Sequence, residues 1–376
     1  MAYLETSINQ CFKELTDPRV IGRSQYYLSD ILTIVLCAAI SGAEGFNDIE
    51  MFARCKESFF CTFLELPNGI PSHDTINRVM SMLSSDEFSK CFVKWVQSLS
   101  KRISGIIAID GKTLRSSFHD AENRDCLHMV SAWSVENGLV LGQIRTNEKS
   151  NEITAIPTLL SLLDIEDCVV TIDAMGCQTE IAQKILDGGG DYVLSLKGNQ
   201  GNSHESVELL FKWELSNNFS GVTHSTFSEV EKDHGRIETR SIFPIGQLDE
   251  IDGLGLEKWP CLKSVTLVES IREINGKSTI EHRYYLSSLT ADAERIGKAV
   301  RGHWGIENSL HWVLDVVFNE DKARNRKDHS AANMTMIRHM AVNIVKNDKS
   351  SKTSIRGRRL KAGWDDNYLL KLIFAV

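Results

Sequence analysis

Apolar positions in the first hundred residues recur at helical spacing. The run Ile31–Ile40, with Ser29 placed to cap it and Gly42 to end it, predicts one buried helix. It is far too short to span a bilayer. Phe46–Phe63 predicts a second helix, and the stretch after Pro71-Ser72 a third. The fourth is the clearest. Ser84 and Glu87 form an S-x-x-E capping box ahead of Phe88, Cys91, Phe92, Trp95, Val96 and Leu99, an apolar stripe on one helix face. Only Ser98–Gly105 separates this region from the next.

The pattern then shortens to strand-like runs. Ile106–Ile109 is a buried-strand signal that ends in Asp110-Gly111. His128–Val135 and Leu139–Arg145 flank Asn137-Gly138, which predicts a hairpin with a type I′ turn. Thr154–Leu163 reads as a helix, tolerating Pro157 only in its first turn. Cys168–Ile172 is a second buried strand and also ends in an aspartate, Asp173. A helix over Gln178–Leu186 and a strand over Tyr192–Leu196 follow, leading into Lys197-Gly198-Asn199-Gln200. Residues 201–290 read as a largely β insertion, with strands at Ser264–Val268 and His282–Leu286. Helical spacing returns at Ala291–Val300 and Trp304–Val317.

Four segments result. Residues 1–102 form a helical N-terminal domain, 103–200 the first part of an α/β core, 201–290 a β-rich insertion, and 291–376 the completion of the core with a basic C-terminal region. Composition is that of an ordinary globular chain, 42% hydrophobic and 24% charged. The N-terminus lacks the basic-then-apolar plan of a signal peptide. Nine scattered cysteines with no CxxC pair argue against a disulfide framework or a zinc ribbon and fit a reducing cytoplasm. Net charge is −8, yet from Asp321 onward thirteen Lys/Arg face five Asp/Glu. That asymmetry suits either polyanion binding or a solvated basic surface.

The chemistry lies in the acids. Asp110 and Asp173 each end a strand of one α/β sheet, where such sheets bind ligands. Paired carboxylates there can hold Mg²⁺, a hard ion that prefers oxygen. Two ions about 3.5–4 Å apart can activate a water or a 3′-hydroxyl and stabilise the leaving oxygen in phosphodiester chemistry. Glu307, within RGHWGIENSLHWVLDVVFNED, is the best placed third carboxylate. A strand-terminal Asp alone is more often a turn residue or a helix cap; the ordered set is more specific.

These blocks carry a resemblance. With HDTINRVM, AIDGKTLRSS, TIDAMGCQTEIA, DYVLSLKGNQ and RGHWGIENSLHWVLDVVFNED in order, the chain resembles the H-repeat-associated insertion-sequence transposases of the DDE superfamily over nearly its whole length. The resemblance implies a ribonuclease-H-like mixed sheet with helices, a β-rich insertion before the last catalytic helix, and a helical N-terminal domain. It implies a DNA transposase that cleaves transposon ends and transfers the strand into target DNA, with the triad on Asp110, Asp173 and Glu307. It further implies two Mg²⁺ ions (Mn²⁺ substituting), double-stranded DNA as partner, a homodimer on that DNA, no nucleotide cofactor, no membrane, and a bacterial cytoplasm close to the nucleoid. Two alternatives stay open: a ribonuclease-H-like nuclease that does not join strands, and a degenerate or domesticated DNA-binding protein. One departure stands out. Related transposases carry Tyr-x2-Arg-x3-Glu-x6-Lys around the glutamate, whereas Val300, His303 and Leu314 occupy those positions here.

Candidate phosphate contacts are Lys112, Arg115, Lys197, Arg301, His303 and His311. His303, Glu307, His311 and Asp315 recur every fourth residue, so an α-helix would line them up on one side. That also invites a zinc reading, which lacks the HExxH spacing. Trp304 and Trp312 suit core packing or stacking on an unpaired base. Asn77 and Arg78 could reach base edges from a recognition helix. The basic pieces at 322–327 and 356–361, with Arg356, Arg358 and Arg359, suit phosphate contact.

Overall fold

The computed structural model describes residues 7–20, 22, 24–99, 103–115, 117, 126–146, 152–233, 235–251 and 253–374. The N-terminal helices are α1 (Ser7–Lys13), α2 (Leu28–Ser41), α3 (Phe46–Cys55), α4 (Glu57–Phe60), α5 (His73–Met82) and α6 (Ser85–Leu99). Gly42 ends α2 in the left-handed region, φ 110°, where a Cβ is costly. Ser29 lies inside α2 rather than capping it; Tyr27 holds the cap position without a side-chain bond. The predicted helix over Phe46–Phe63 breaks at Lys56. The capping box of α6 forms by half. Ser84 Oγ accepts the Glu87 amide at 3.3 Å, but the Glu87 carboxylate accepts from the Thr16 amide instead. Against the expectation from cysteine spacing, Cys11 of α1 and Cys91 of α6 form a disulfide. Their 80-residue separation leaves no local signature.

Among the described residues nine strands form one mixed sheet: β1 (Gly105–Thr113), β2 (His128–Ser134), β3 (Leu139–Thr146), β4 (Cys168–Ile172), β5 (Asp191–Leu196), β6 (Phe227–Asp233), β7 (Arg236–Ile245), β8 (Ser264–Ile274) and β9 (Lys277–Ser287). Their order is β3-β2-β1-β4-β5-β9-β8-β7-β6. Strands β1, β4 and β5 are mutually parallel, and β2–β3 and the β5-β9-β8-β7-β6 run are antiparallel. This is the ribonuclease-H-like core with a β-rich extension that the resemblance implies. The remaining helices are α7 (Glu152–Leu160), α8 (Thr179–Asp187), α9 (Gly201–Ser216), α10 (Ala293–Ile306), α11 (Ser330–Asn347), α12 (Ile355–Trp364) and α13 (Asp366–Phe374).

Three local readings change. The β2–β3 turn is not type I′, because Gly138 has φ 62° while Asn137 is not left-handed. A type I′ turn needs both. Pro157 sits in the second turn of α7 rather than the first. The insertion opens with the sixteen-residue helix α9 before its strands begin.

By contacts the chain divides into two compact units, Met1–Arg102 with Gly111–Asn151 and Glu307–Val376, and Ile103–Asp110 with Glu152–Ile306. The first is organised on α11, buried at every residue from Ser330 to Val345. Two of its asparagines find partners inside: Asn333 donates to the Met80 and Leu83 carbonyls, and Asn343 pairs with both backbone groups of Val140. In the second unit, α10 packs Ile296, Ala299 and Val300 against Val169, Val193, Ile242 and Val268 of the sheet. Among the described residues no single helix is long and apolar enough to cross a membrane.

Burial on α11 makes stability depend on pH. His339 is enclosed, and desolvation lowers its pKa from 6.5 to about 4. The unfolded chain therefore binds the proton more readily than the fold. The contribution is complete above about pH 6.5, shrinks as pH falls, and is gone below about pH 4. It amounts to on the order of 3 kcal/mol. Urea unfolding from pH 4 to 7 should show that slope, and His339→Gln should flatten it; an unchanged slope would contradict the assignment.

Candidate active site at the strand ends

Parallel pairing of β1 with β4 sets Ile109 opposite Ile172. Pairing stops there: Asp173 is the residue after β4, whereas Asp110 lies inside β1, which runs on to Thr113 rather than ending at the aspartate as its sequence suggests. Both are half-buried. The strands feeding them, Ile107–Ile109 and Cys168–Ile172, are buried throughout, so the carboxylates emerge from a rigid apolar base.

The loop after β4 is built around Asp173. Its Oδ1 accepts the Met175 amide at 3.0 Å and the Gly176 amide at 3.4 Å, the local bonding that short acidic side chains favour. From the end of β5, Asn199 Nδ2 donates to the Ala174 carbonyl at 2.6 Å and Gln200 Nε2 to that of Cys177 at 2.8 Å. The GNQ segment thus pins the Asp173 loop, a role that nothing in its sequence announces. Gly176 is required by space: a Cβ there would lie 2.3 Å from Ile172 Cγ2 and 2.9 Å from Ile156 Cδ1. Gly176→Ala should cost about 1–3 kcal/mol and lower DNA cleavage more than DNA binding. Unfolding curves and a cleavage assay check this, and wild-type values in both would refute it.

His303, from α10, sets its Nδ1 3.1 Å from the Thr171 hydroxyl, two residues before Asp173. Burial pulls its pKa below the ordinary value, and the nearby Asp173 charge opposes that only in part. The imidazole is therefore neutral at pH 7 and suits steadying β4 better than neutralising phosphate. Lys197 is exposed at the end of β5. Trp304 lies under the Arg283 and Arg301 guanidiniums at 5.5 and 6.0 Å, and Arg301 is bidentate to Glu231 at 2.9 Å.

Glu307 begins the other unit. Regular α-helix ends at Ile306, and Glu307–His311 and Val313–Val317 are π-helical. The i→i+5 bonding of a π turn is rare and frequent at functional sites. It also undoes the every-fourth-residue alignment that an α-helix would give His303, Glu307, His311 and Asp315. The Glu307 side chain is exposed and makes no hydrogen bond or ion pair among the described residues. His311 is half-buried, and Trp312 is 55% exposed. Among the described residues no three His, Cys, Asp or Glu side chains gather as a metal-holding group.

Several expected phosphate contacts are occupied otherwise. Lys112 Nζ donates to Asp315 at 2.5 Å and to Glu320 at 2.7 Å, and Glu320 also faces Arg338 at 3.6 Å. Burial alone would depress the Lys112 pKa; the two carboxylates more than offset it and hold it raised. Arg358 donates to the Val345, Lys346 and Ser351 carbonyls, closing the end of α11. Arg359 is buried, bonded to the Val317 and Ala39 carbonyls, with its guanidinium 3.8 Å over Phe318. Arg115 is 82% exposed beside Asp321, and Arg356 is exposed.

Comparison with known sequences decides the family. Residues 101–344 match the family described as Transposase DDE domain, and residues 9–96 match its companion, DDE_Tnp_1-associated. The chain belongs to the DDE transposase family. The H repeat-associated putative transposase YhhI of Escherichia coli K12 is 43% identical over 96% of this chain and 95% of its own length. Putative transposase YncI of Escherichia coli O157:H7 is 42% identical over 96% of this chain and 92% of its own. This DDE transposase therefore matches those relatives over nearly its whole length, and Asp110 and Asp173 lie within the matched DDE domain.

Proposed function

We propose that this transposase cuts the DNA at the ends of its element and joins the freed 3′ ends to target DNA, using Asp110, Asp173 and Glu307. The observation that carries this reading is the Ile109–Ile172 register, which supports a side-by-side carboxylate pair where the parallel pairing of β1 with β4 stops. The donor set fits a hard divalent cation: carboxylate oxygens, with no thiolate among the three. Asp110, Asp173 and Glu307 would hold Mg²⁺, or Mn²⁺ in its place, as a pair of ions. Bound there, the ions would supply Lewis-acid stabilisation of the entering and leaving oxygens.

The chain itself contributes positioning. The Asp173 loop, pinned by Asn199 and Gln200, fixes one carboxylate, and His303 steadies the strand beneath it. The exposed cations Arg115, Lys197 and Arg356 are the better phosphate contacts, because Lys112, Arg301, Arg358 and Arg359 are engaged in the fold. A surface ion pair such as Arg115–Asp321 is weak enough to be exchanged for phosphate. Trp312, more than Trp304, is open to stack on a base. Two element ends must be processed together, so the working form is a homodimer on double-stranded DNA.

A strand-transfer assay with duplexes bearing the element's own terminal repeats tests the reading. Joined product in Mg²⁺ is expected. Cleavage without joining would favour a nuclease, and binding without cleavage a domesticated DNA-binding protein.

A further inference from the structure

Two sequence features that look unrelated meet in the first unit. Helix α5 carries Asn77, and the basic segment at 322–327 carries Arg324, 247 positions later in the chain. Both line one groove with Gly45, Phe46 and Asn47 at the start of α3, together with His73 and Asn325. The cavity is about 250 Å³. That is below the roughly 300–1,000 Å³ of sites that enclose small-molecule ligands, but it admits one nucleotide's phosphate and base edge.

Its polar groups divide into spent and unspent. His73 is committed to Glu50, which accepts both its amide and its Nδ1. Asn325, nearly buried, accepts from Arg338. Asn77 Oδ1 accepts from Ser81, which leaves its amide NH₂ without an acceptor. Asn47 and Arg324 make no hydrogen bond or ion pair among the described residues. Two carboxamides and a guanidinium therefore face one groove with their capacity in hand. Carboxamides match the paired donor and acceptor on an adenine edge, and guanidinium matches phosphate oxygens. Of the nearby acids, Glu50 is held by His73 and Arg54, Asp48 accepts the Glu44 and Gly45 amides, and Asp74 is exposed with an oxygen 3.6 Å from His73 Nε2.

We propose that this groove grips the transposon-end duplex, Arg324 on a phosphate and Asn77 with Asn47 on a base edge. The proposal rests on the DNA-acting reading above. It makes recognition composite, drawn from the N-terminal helices and from the segment that follows the π-helical turns.

The test uses the full chain and fluorescence-anisotropy binding to two labelled duplexes, one bearing the terminal repeat that flanks the gene and one of scrambled sequence. Arg324→Ala should weaken both about equally and lower the salt slope by about one. Asn77→Ala and Asn47→Ala should each cut the preference for the repeat about tenfold. Asn77→Asp, isosteric and still able to accept from Ser81, should cut it further and guards against a folding artefact. Wild-type preference in the asparagine variants, or an unchanged salt slope in Arg324→Ala, would overturn the groove. Failure of the wild-type chain to bind either duplex would instead overturn the DNA-acting reading.

Discussion

Asp110→Ala, Asp173→Ala and Glu307→Ala should each reduce cleavage of the element end at least about a thousandfold, while affinity for the same duplex stays within a few-fold of wild type. The reasoning is electrostatic. In the proposed site, removing one of the three carboxylates would take away a ligand for the divalent cations that would supply charge stabilisation. The same change removes negative charge, so DNA affinity has no reason to fall. Single-turnover cleavage and anisotropy binding separate the two effects. If one variant cleaved at the wild-type rate, that residue would leave the triad. The three cases carry unequal weight: Asp110 and Asp173 are linked by strand register, whereas Glu307 is supported by its exposure, its lack of partners and its position at the change from α to π helix.

The second large effect is on stability. Lys112→Met should destabilise the protein by about 3 kcal/mol or more. Glu320 is 1% exposed and depends on Lys112 at 2.7 Å, with Arg338 farther off at 3.6 Å. Breaking a buried pair strands a charge, whereas removing both partners can be nearly neutral. The double variant Lys112→Met/Glu320→Leu should recover only part of the loss, because it leaves the buried Arg338 guanidinium without its carboxylate. Urea denaturation measures both. If Lys112→Met unfolded at the wild-type midpoint and bound DNA weakly instead, Lys112 would be a phosphate contact after all.

How far the sequence speaks depends on the range of the interactions concerned. The strands leading into Asp110 and Asp173 are legible because each is a short apolar run, a local signal, although nothing in it shows that β1 runs on past Asp110 to Thr113. Helix α9 is not: its buried positions include Ser203 and Glu214, while Leu209, Trp213 and Leu215 face solvent, so its apolar face is blurred. The destinations of Lys112 and Arg359 are invisible for another reason. Their partners lie 203 and 320 residues away in Asp315 and Ala39, and a cation written in a basic cluster looks the same whether it faces phosphate or a buried carbonyl. The same holds for Asn199 and Gln200, whose value lies in two carbonyls of the Asp173 loop. Glu307 is legible as an acid in the right order, but the π-helical turn around it is not, since no spacing rule distinguishes it from the α-helix it continues.

Whether the Asp110–Asp173 pair holds metal is open to direct measurement. Electron paramagnetic resonance of Mn²⁺ titrated into the protein bound to its terminal-repeat duplex measures this without relying on turnover. The wild-type complex should bind Mn²⁺ at specific sites, and Asp110→Asn and Asp173→Asn should each lose most of that binding while still holding the duplex. Wild-type Mn²⁺ binding in both variants would contradict the assignment of these two aspartates.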